Sequence, residues 1–379
     1  MHPTTIEINS QQFISNLKAI KEAIGPKVKF LLPVKANAYG HGLIATSKLA
    51  ESYVDYLAVA CLYEGALLRK NNIQKPILVF GAIDEDQIPG LIDNDLEITI
   101  SSLYKAKLVA NFCNQINKRC RIHIKVDTGM NRVGVRPESL TALVEFVLSS
   151  KSLDLVGLYS HLAASDDLDN SITSQQIEIF KACVNVVKQR KADVICHIAN
   201  SAGVCYHPDS HFDMVRPGIM SYGYFPAKRI DNFPLNQIKP CFSLKSRVAY
   251  FKVVPAGSGI SYNHRYITKE STRIVTLPIG YGDGYRRGLT NIGEVLLNGK
   301  RYTISGTICM DMLMVDIGPN GSAYVGDEAV LIGNQGQEEV SIEKMAIMLN
   351  TIVYEVLVSF NERIPRIYTA FSSIENVVD

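Results

Sequence analysis

Five segments carry the residues whose types and spacing can do chemistry. In Pro33-Val34-Lys35-Ala36-Asn37-Ala38-Tyr39-Gly40-His41-Gly42, a lysine follows an apolar run directly. Burial there would lower its pKa and free a neutral amine for covalent chemistry with a carbonyl. A lysine of this kind is more often one that reaches solvent or pairs with a carboxylate. In Lys125-Val126-Asp127-Thr128-Gly129-Met130-Asn131-Arg132, Arg132 can fork onto a carboxylate, and an internal pair with Asp127 is the plainer alternative. Ser160-His161 and His197-Ile198-Ala199-Asn200-Ser201-Ala202-Gly203 set small polar residues before helix starts. Such residues offer N–H groups and a hydroxyl to a phosphate, or simply cap the helix. In Met214-Val215-Arg216-Pro217-Gly218-Ile219, Gly218 would let backbone approach a ligand closely.

Other chemistries find no support. Gly282-Asp283-Gly284-Tyr285-Arg286-Arg287-Gly288 has one residue too many for a dinucleotide loop and no βαβ unit around it. The eight histidines show no zinc spacing, and His41 and His264 read as surface or loop residues. No metal site is expected. The 39 basic residues against 37 acidic ones, a net +2, leave no electrostatic footprint for nucleic acid. Eight scattered cysteines without a CxxC pair fit reduced thiols, not a disulfide framework. The start of the chain lacks the regions of a signal peptide, and no apolar stretch of about 18 residues could span a bilayer. A soluble, cytoplasmic protein is expected.

The elements that must position these residues alternate between two periods over the first 225 positions. Eight strand candidates recur: 28–34, 56–60, 77–80, 97–100, 121–127, 155–162, 193–199 and 214–222. Helical patterns at 43–53, 63–71, 103–118, 137–149 and 172–191 separate most of them. An opening helix buries Phe13, Leu17, Ile20 and Ile24, with Ser10 as its cap and Gly25-Pro26 as its stop. Eight strands with helical crossovers predict an α/β protein with an N-terminal (β/α)8 barrel of the TIM type. A doubly wound sheet is the competitor that strand counting leaves open. After Pro226 a loop rich in Pro and Asn runs to Pro240. Strands then follow at 242–254, 273–277, 293–297, 301–306, 312–316 and 328–332, with one helix at 342–349. Asn298-Gly299 signals a hairpin. The expected organisation is a barrel over 9–230 and a mostly β domain over 231–379.

The motifs taken together resemble the alanine racemases. Val34 to Gly42 is similar to the cofactor-lysine signature of that family. The likeness continues through Asp127-Thr128-Gly129-Met130, His197 to Gly203, Arg216-Pro217-Gly218, Tyr281-Gly282-Asp283-Gly284-Tyr285, Cys309-Met310-Asp311 and Tyr354-Glu355-Val356, in the family's order. Each motif is weak alone; the ordered set is specific.

The resemblance implies a fold-type III enzyme that uses pyridoxal 5'-phosphate and works as a homodimer with shared active sites. It implies that a strand near Thr4–Ile8, within residues 1–8, packs on the C-terminal domain. It assigns Lys35 to the covalent link with the cofactor. Tyr39, Ser201, Gly218, Ile219 and Tyr354 would hold the phosphate, with Asn200 beside it. Arg216 would face the pyridine nitrogen and His161 the ring. Arg132 and the backbone of Met310, from the partner, would bind the substrate carboxylate. Lys125 resembles the lysine that many members carry as a carbamate. His197, Tyr281 and Asp311 would support the site. Two bases would then exchange the Cα proton: Lys35 for D-alanine, and Tyr262 of the partner subunit for L-alanine. A free tyrosine has a pKa near about 10, so such a base needs tuning, here through His161, Arg216 and His197. The product would be D-alanine for peptidoglycan.

Departures from the family fall at Asn263-His264-Arg265 and Thr307, and bear on substrate access. The alternative function is a broader amino-acid racemase, for serine for example. A decarboxylase and a non-catalytic carrier of the same cofactor fit less well.

Overall fold

The computed structural model describes residues 3–226 and 237–369. The chain divides into two compact units. One comprises Gln12–Ala38 and Leu43–Pro240; the other comprises Met1–Gln11, Tyr39–Gly42 and Cys241–Asp379. The boundary expected at 230/231 lies outside the described residues, as does most of the Pro- and Asn-rich loop.

Strand β1 (Thr5–Asn9) opens the chain, and the helix Ser10–Ile24 follows without a break. Ser10 is the helix's first residue rather than its cap, and its buried hydroxyl meets no partner among the described residues. The first large unit then holds an eight-stranded parallel sheet. Its strands are β2 (Lys29–Pro33), β3 (Tyr56–Val59), β4 (Ile77–Val79), β5 (Glu97–Ile100), β6 (Cys120–Lys125), β7 (Leu153–Tyr159), β8 (Ile195–His197) and β9 (Met214–Val215). The order is β8-β7-β6-β5-β4-β3-β2-β9. Two backbone bonds nearly close it: Asp213 N–H to the Cys196 carbonyl at 3.0 Å, and Arg216 N–H to Ala199 at 2.9 Å. The predicted (β/α)8 barrel is therefore present, and the doubly wound sheet is excluded.

Helical crossovers cover the outside. Pro137–Ser149 shows why: proline suits its first turn, and Leu140, Leu143, Val144 and Val147 recur on one buried stripe. Inside the barrel, Leu31, Tyr56, Ala58, Leu78, Tyr159 and Met214 form one cluster. The eighth strand departs from expectation. It is only two residues long, and Gly218–Ser221 is a short helix. Pro217 has no N–H to offer a ladder, so the strand cannot run on to Tyr222.

The second unit is mostly β, as predicted. It contains β10 (Phe242–Arg247), β11 (Tyr250–Val254), β12 (Gly259–Ile260), β13 (Tyr266–Ile267), β14 (Thr272–Leu277), β15 (Glu294–Leu297), β16 (Lys300–Thr303), β17 (Leu313–Asp316), β18 (Glu328–Gln335), β19 (Glu338–Val340) and β20 (Arg366–Thr369). The largest sheet runs β16-β15-β18-β10-β1-β20, with β1 antiparallel to β10 and parallel to β20. The single strand expected at 242–254 is two strands in different sheets. Asn298 and Gly299 both have positive φ, 50° and 73°, the signature of a type I′ hairpin between β15 and β16. Helices Ile342–Met348 and Val353–Ser359 complete the unit; the second was not foreseen. His41 is another correction. It is fully buried, with Nδ1 2.9 Å from the Tyr39 carbonyl and its ring against Phe242.

Candidate active site

Chemistry in a barrel collects where strands end. Strand β2 ends at Pro33; the next residue, Val34, bonds the Ala58 carbonyl through its N–H at 2.8 Å, and Lys35 follows. The chain then makes a left-handed turn: φ is +54° at Ala36 and Asn37, +51° at Ala38 and +54° at Tyr39. Each such residue costs about 1–2 kcal/mol, so four in a row need outside support. Glu64 supplies it by accepting the Ala36 N–H at 2.6 Å and the Ala60 N–H at 2.7 Å. Asn37 Oδ1 accepts the Leu43 N–H at 2.6 Å. Gly40 then has φ +81°, and a Cβ there would meet the Leu357 carbonyl at 2.3 Å. Burial pulls the Lys35 pKa down; Arg132 and Arg216 add to this, and Glu64 opposes it.

Strand β6 places Arg121, His123 and Lys125 on one face by its period of two. Lys125 is brought down to about 8 by burial, helped by Arg132, Arg216 and Lys35. Its ammonium lies 5.4 Å from the Tyr159 ring centre. Beyond the strand, Asp127 Oδ1 accepts the N–H groups of Gly129 and Asn131, both at 3.0 Å, and so shapes the loop that carries Arg132. Arg132 is exposed and forms no ion pair among the described residues.

Arg216 follows β9 and is 4% exposed. Nη1 donates to His197 Nδ1 at 2.8 Å. Nη2 faces the Ser160 carbonyl at 2.7 Å, His161 Nδ1 at 3.1 Å and the Ile198 carbonyl at 3.1 Å. Nε has no acceptor among the described residues. Burial lowers its pKa to about 10, which leaves it a cation at neutral pH. Both histidines are held well below their ordinary range by burial, with Arg216 next. Arginine has no acceptor, so neutral His161 takes the hydrogen bond on Nδ1 and carries its hydrogen on Nε2.

Two short helices begin beside one another at Ser201 and Gly218, where Ser201 Oγ accepts the Met220 N–H at 3.3 Å. Asn200 caps the first, accepting from Gly203 N–H at 2.9 Å. First-turn N–H groups have no partner within a helix, so this corner points donors outward.

The remaining candidates belong to the second unit. Tyr262 is 66% exposed and Met310 54%. Backbone strain frames Tyr262, with positive φ at Ser261, Asn263 and His264. Buried Thr307 donates to the Tyr262 carbonyl at 3.0 Å, and Ser261 Oγ donates to the Thr307 carbonyl at 2.5 Å. The Gly282 N–H bonds the Met310 carbonyl at 2.8 Å, while Tyr281 N–H bonds Cys309 at 3.1 Å. Asp311 pairs with Arg363 at 2.9 Å. Tyr39 and Tyr354 face each other with ring centres 6.1 Å apart, and burial raises the Tyr39 pKa.

The barrel thus brings together Lys35, Lys125, Arg132, His161, His197, Asn200, Ser201, Arg216, Gly218 and Ile219. Tyr39, Tyr262, Tyr281, Met310, Asp311 and Tyr354 lie in the second unit. Four contributors escaped the sequence reading: Glu64, Glu97, His123 and Tyr159. Tyr159 stacks on His197 at 5.0 Å and 4° and sits 5.4 Å below the Arg216 guanidinium. The alternating Arg121, His123 and Lys125 within an apolar strand was the available signal.

Residues 8–226 match the family model for the alanine racemase N-terminal domain, and residues 241–368 match that for the C-terminal domain. The alanine racemase of Methanococcus maripaludis is 38% identical over 370 residues, 97% of this chain and 99% of its own. That of Halothermothrix orenii is 40% identical over 369 residues, 97% of each chain. The solved alanine racemase of Clostridium difficile 630 superposes with a TM-score of 0.90 at 36% identity, covering 97% of this chain and 96% of its own. A chain with an eight-stranded barrel that carries a lysine at its mouth, and with a β-rich second unit, is here an isomerase acting on an amino acid. The chain belongs to the alanine racemase family, and its reaction is the racemisation of alanine. Among the described residues no helix is long and apolar enough to cross a membrane.

Proposed function

We propose that the chain racemises alanine with pyridoxal 5'-phosphate by a two-base mechanism, as a homodimer, and supplies D-alanine for peptidoglycan in the cytoplasm. One observation carries this reading. Lys35, Lys125, Arg132 and Arg216 converge so closely that the other three cations each depress the Lys125 pKa. Glu64 and Asp127 are the acidic groups that act on the two lysines, so four cations face two carboxylates, and both carboxylates also accept backbone N–H groups. A site with this surplus of positive charge fits a phosphate-bearing aldehyde together with a substrate carboxylate.

Within that reading Lys35 carries the cofactor. Ser201, Gly218, Ile219, Tyr39 and Tyr354 hold its phosphate, with Asn200 orienting the helix start. When bound, the cofactor supplies an electron sink that acidifies the Cα proton of the substrate. The Nε–H of Arg216 is a donor that keeps its proton, which suits a pyridine nitrogen left unprotonated. Arg132 and the Met310 N–H of the partner hold the substrate carboxylate. From D-alanine, Lys35 Nζ, freed when the substrate amine takes its place on the cofactor, would take the Cα proton on one face, and the Tyr262 hydroxyl of the partner subunit would deliver one to the other. From L-alanine the two exchange roles. The His161 Nε2–H is a donor suited to the Tyr262 phenolate left behind. Tyr281, Asp311 and His197 support these groups, and a carbamate on Lys125 would orient Arg132.

The test is an absorption scan of the purified protein with borohydride reduction. A visible band lost on reduction, with label trapped on Lys35, is expected. Tyr262→Phe should keep that band yet lose racemisation, whereas Lys35→Ala should lose both. A protein without the band, or a fully active Tyr262→Phe, defeats the reading. Rates with alanine against serine decide between a strict and a broader racemase.

A further inference from the structure

Below the mouth, a buried line of side chains leaves Arg216 and crosses the barrel interior. Arg216 Nη1 meets His197 Nδ1 at 2.8 Å. His197 Nε2 meets His123 Nδ1 at 3.1 Å, and His123 Nε2 meets Glu97 Oε2 at 2.8 Å. The second Glu97 oxygen accepts from Arg121 Nε at 3.0 Å, and Arg121 also reaches both Asp95 oxygens at 3.0 Å. Glu97 is 1% exposed, and both histidines are 0%.

The valences leave one arrangement. Arginine only donates, so His197 Nδ1 accepts and its hydrogen lies on Nε2. That hydrogen is donated to His123 Nδ1, which puts the His123 hydrogen on Nε2, aimed at Glu97. Every bond points the same way, from the guanidinium towards the carboxylate. The fold is shaped around the line. A Cβ on Gly157 would sit 1.9 Å from His123 Nδ1, so only glycine leaves room for that ring. Tyr159 stacks on His197, and Tyr56 meets His123 edge-on at 6.3 Å.

We propose that Glu97 is a remote positioning residue for racemisation. Acting through His123 and His197, it locks both imidazole tautomers. It thereby presents one oriented lone pair to Arg216 and sets a buried negative charge against the guanidinium. Its place at the start of β5, with no access to the mouth, makes its action indirect. The inference rests on the reading that Arg216 faces the reacting centre.

Nitrogen-15 NMR of the histidine side chains in the holoenzyme, joined to steady-state kinetics, tests it. Wild type should show hydrogen on Nε2 of both His123 and His197. Glu97→Ala should shift the His197 nitrogens and lower kcat by about threefold to thirtyfold with KM nearly unchanged. Glu97→Gln retains one acceptor for His123 and should keep the tautomers while losing the charge. It should therefore recover part of kcat, and it serves as the readout if the alanine variant fails to fold. Hydrogen on Nδ1 of either ring in wild type overturns the proposal. So does a Glu97→Ala with His197 signals and kcat unchanged or, where that variant fails to fold, a Glu97→Gln with the kcat of wild type. The relay is internal to the protein, so a wrong cofactor assignment would show as a missing visible band in wild type while the His197 shift persisted.

Discussion

The Glu64 carboxylate accepts the Ala36 N–H at 2.6 Å, one residue beyond Lys35. Its other oxygen takes the Ala60 N–H at 2.7 Å, so one side chain ties the ends of β2 and β3 together. It holds a left-handed turn that Ala36, Asn37 and Ala38 do not favour.

Replacing Glu64 by alanine leaves two backbone donors without their acceptor and releases that turn. The expected loss of stability is about 1–3 kcal/mol. The amine would drift from its working position, so kcat should fall by about 10- to 100-fold. Glu64→Gln keeps the shape but turns one amide N–H towards a backbone N–H, and should fall between alanine and wild type. Thermal unfolding together with kcat checks both. Full activity in the alanine variant would show that the turn holds itself.

Thr307 holds the proposed second base, Tyr262, in a comparable way. Its hydroxyl donates to the Tyr262 carbonyl from a site 1% exposed. Thr307→Val has nearly the same shape and removes only that bond. A loss of about 1 kcal/mol in the strained loop corresponds to about a fivefold lower rate. The fall should appear in both directions, because both cross the same Tyr262 step, and the isotope effect with α-deuterated L-alanine should rise as that step becomes slower. Cofactor absorbance should not change. A lower rate with the isotope effect on L-alanine unchanged would place Thr307 in general stability instead.

Much of this was legible in the sequence, and the exceptions have physical reasons. Lys35 and Arg216 stand at strand ends, where period-two runs stop, and the fold puts them there. Glu64 sits in the first turn of the helix Leu62–Lys70, where an acidic residue is ordinary, so local pattern reads it as a solvated helix start. Its two partners are brought in by the barrel, which no local pattern encodes. Glu97 and His123 are polar residues on inward positions of apolar strands, a conflict that marks function once noticed. The break between β10 and β11 has no Gly or Pro to announce it. The short β9 did have its signal, in Pro217. The proposed second base, donated by another subunit, would leave no trace within one chain's periodicity.

Arg216→Lys tests whether geometry or charge matters below the cofactor. Lysine retains a cation but cannot serve His197, His161, Ser160 and Ile198 at once. Losing directed donors of this kind costs about 10²-fold in rate. The variant should bind the cofactor yet show a shifted visible maximum. Near-normal rates would mean that positive charge alone suffices.

Lys125 offers a test in pH. Carbamate formation consumes a neutral amine and carbon dioxide, so it needs the unprotonated form. Burial and the surrounding cations bring Lys125 to about 8, against about 10.4 for a free lysine. The sign is therefore a rise in reactive amine from pH 6 to pH 8, where about half is neutral and an ordinary lysine is almost wholly charged. Protein held in carbon-13 bicarbonate should show a carbamate resonance that grows over this range and disappears in Lys125→Ala. The added negative charge would lie among Arg132, Arg216 and Lys35 and fix Arg132 for the substrate carboxylate. Removing bicarbonate should accordingly raise KM for alanine, and chloride or acetate should partly restore it. A resonance absent at pH 8, with KM insensitive to bicarbonate, would leave Lys125 as a plain buried cation over Tyr159.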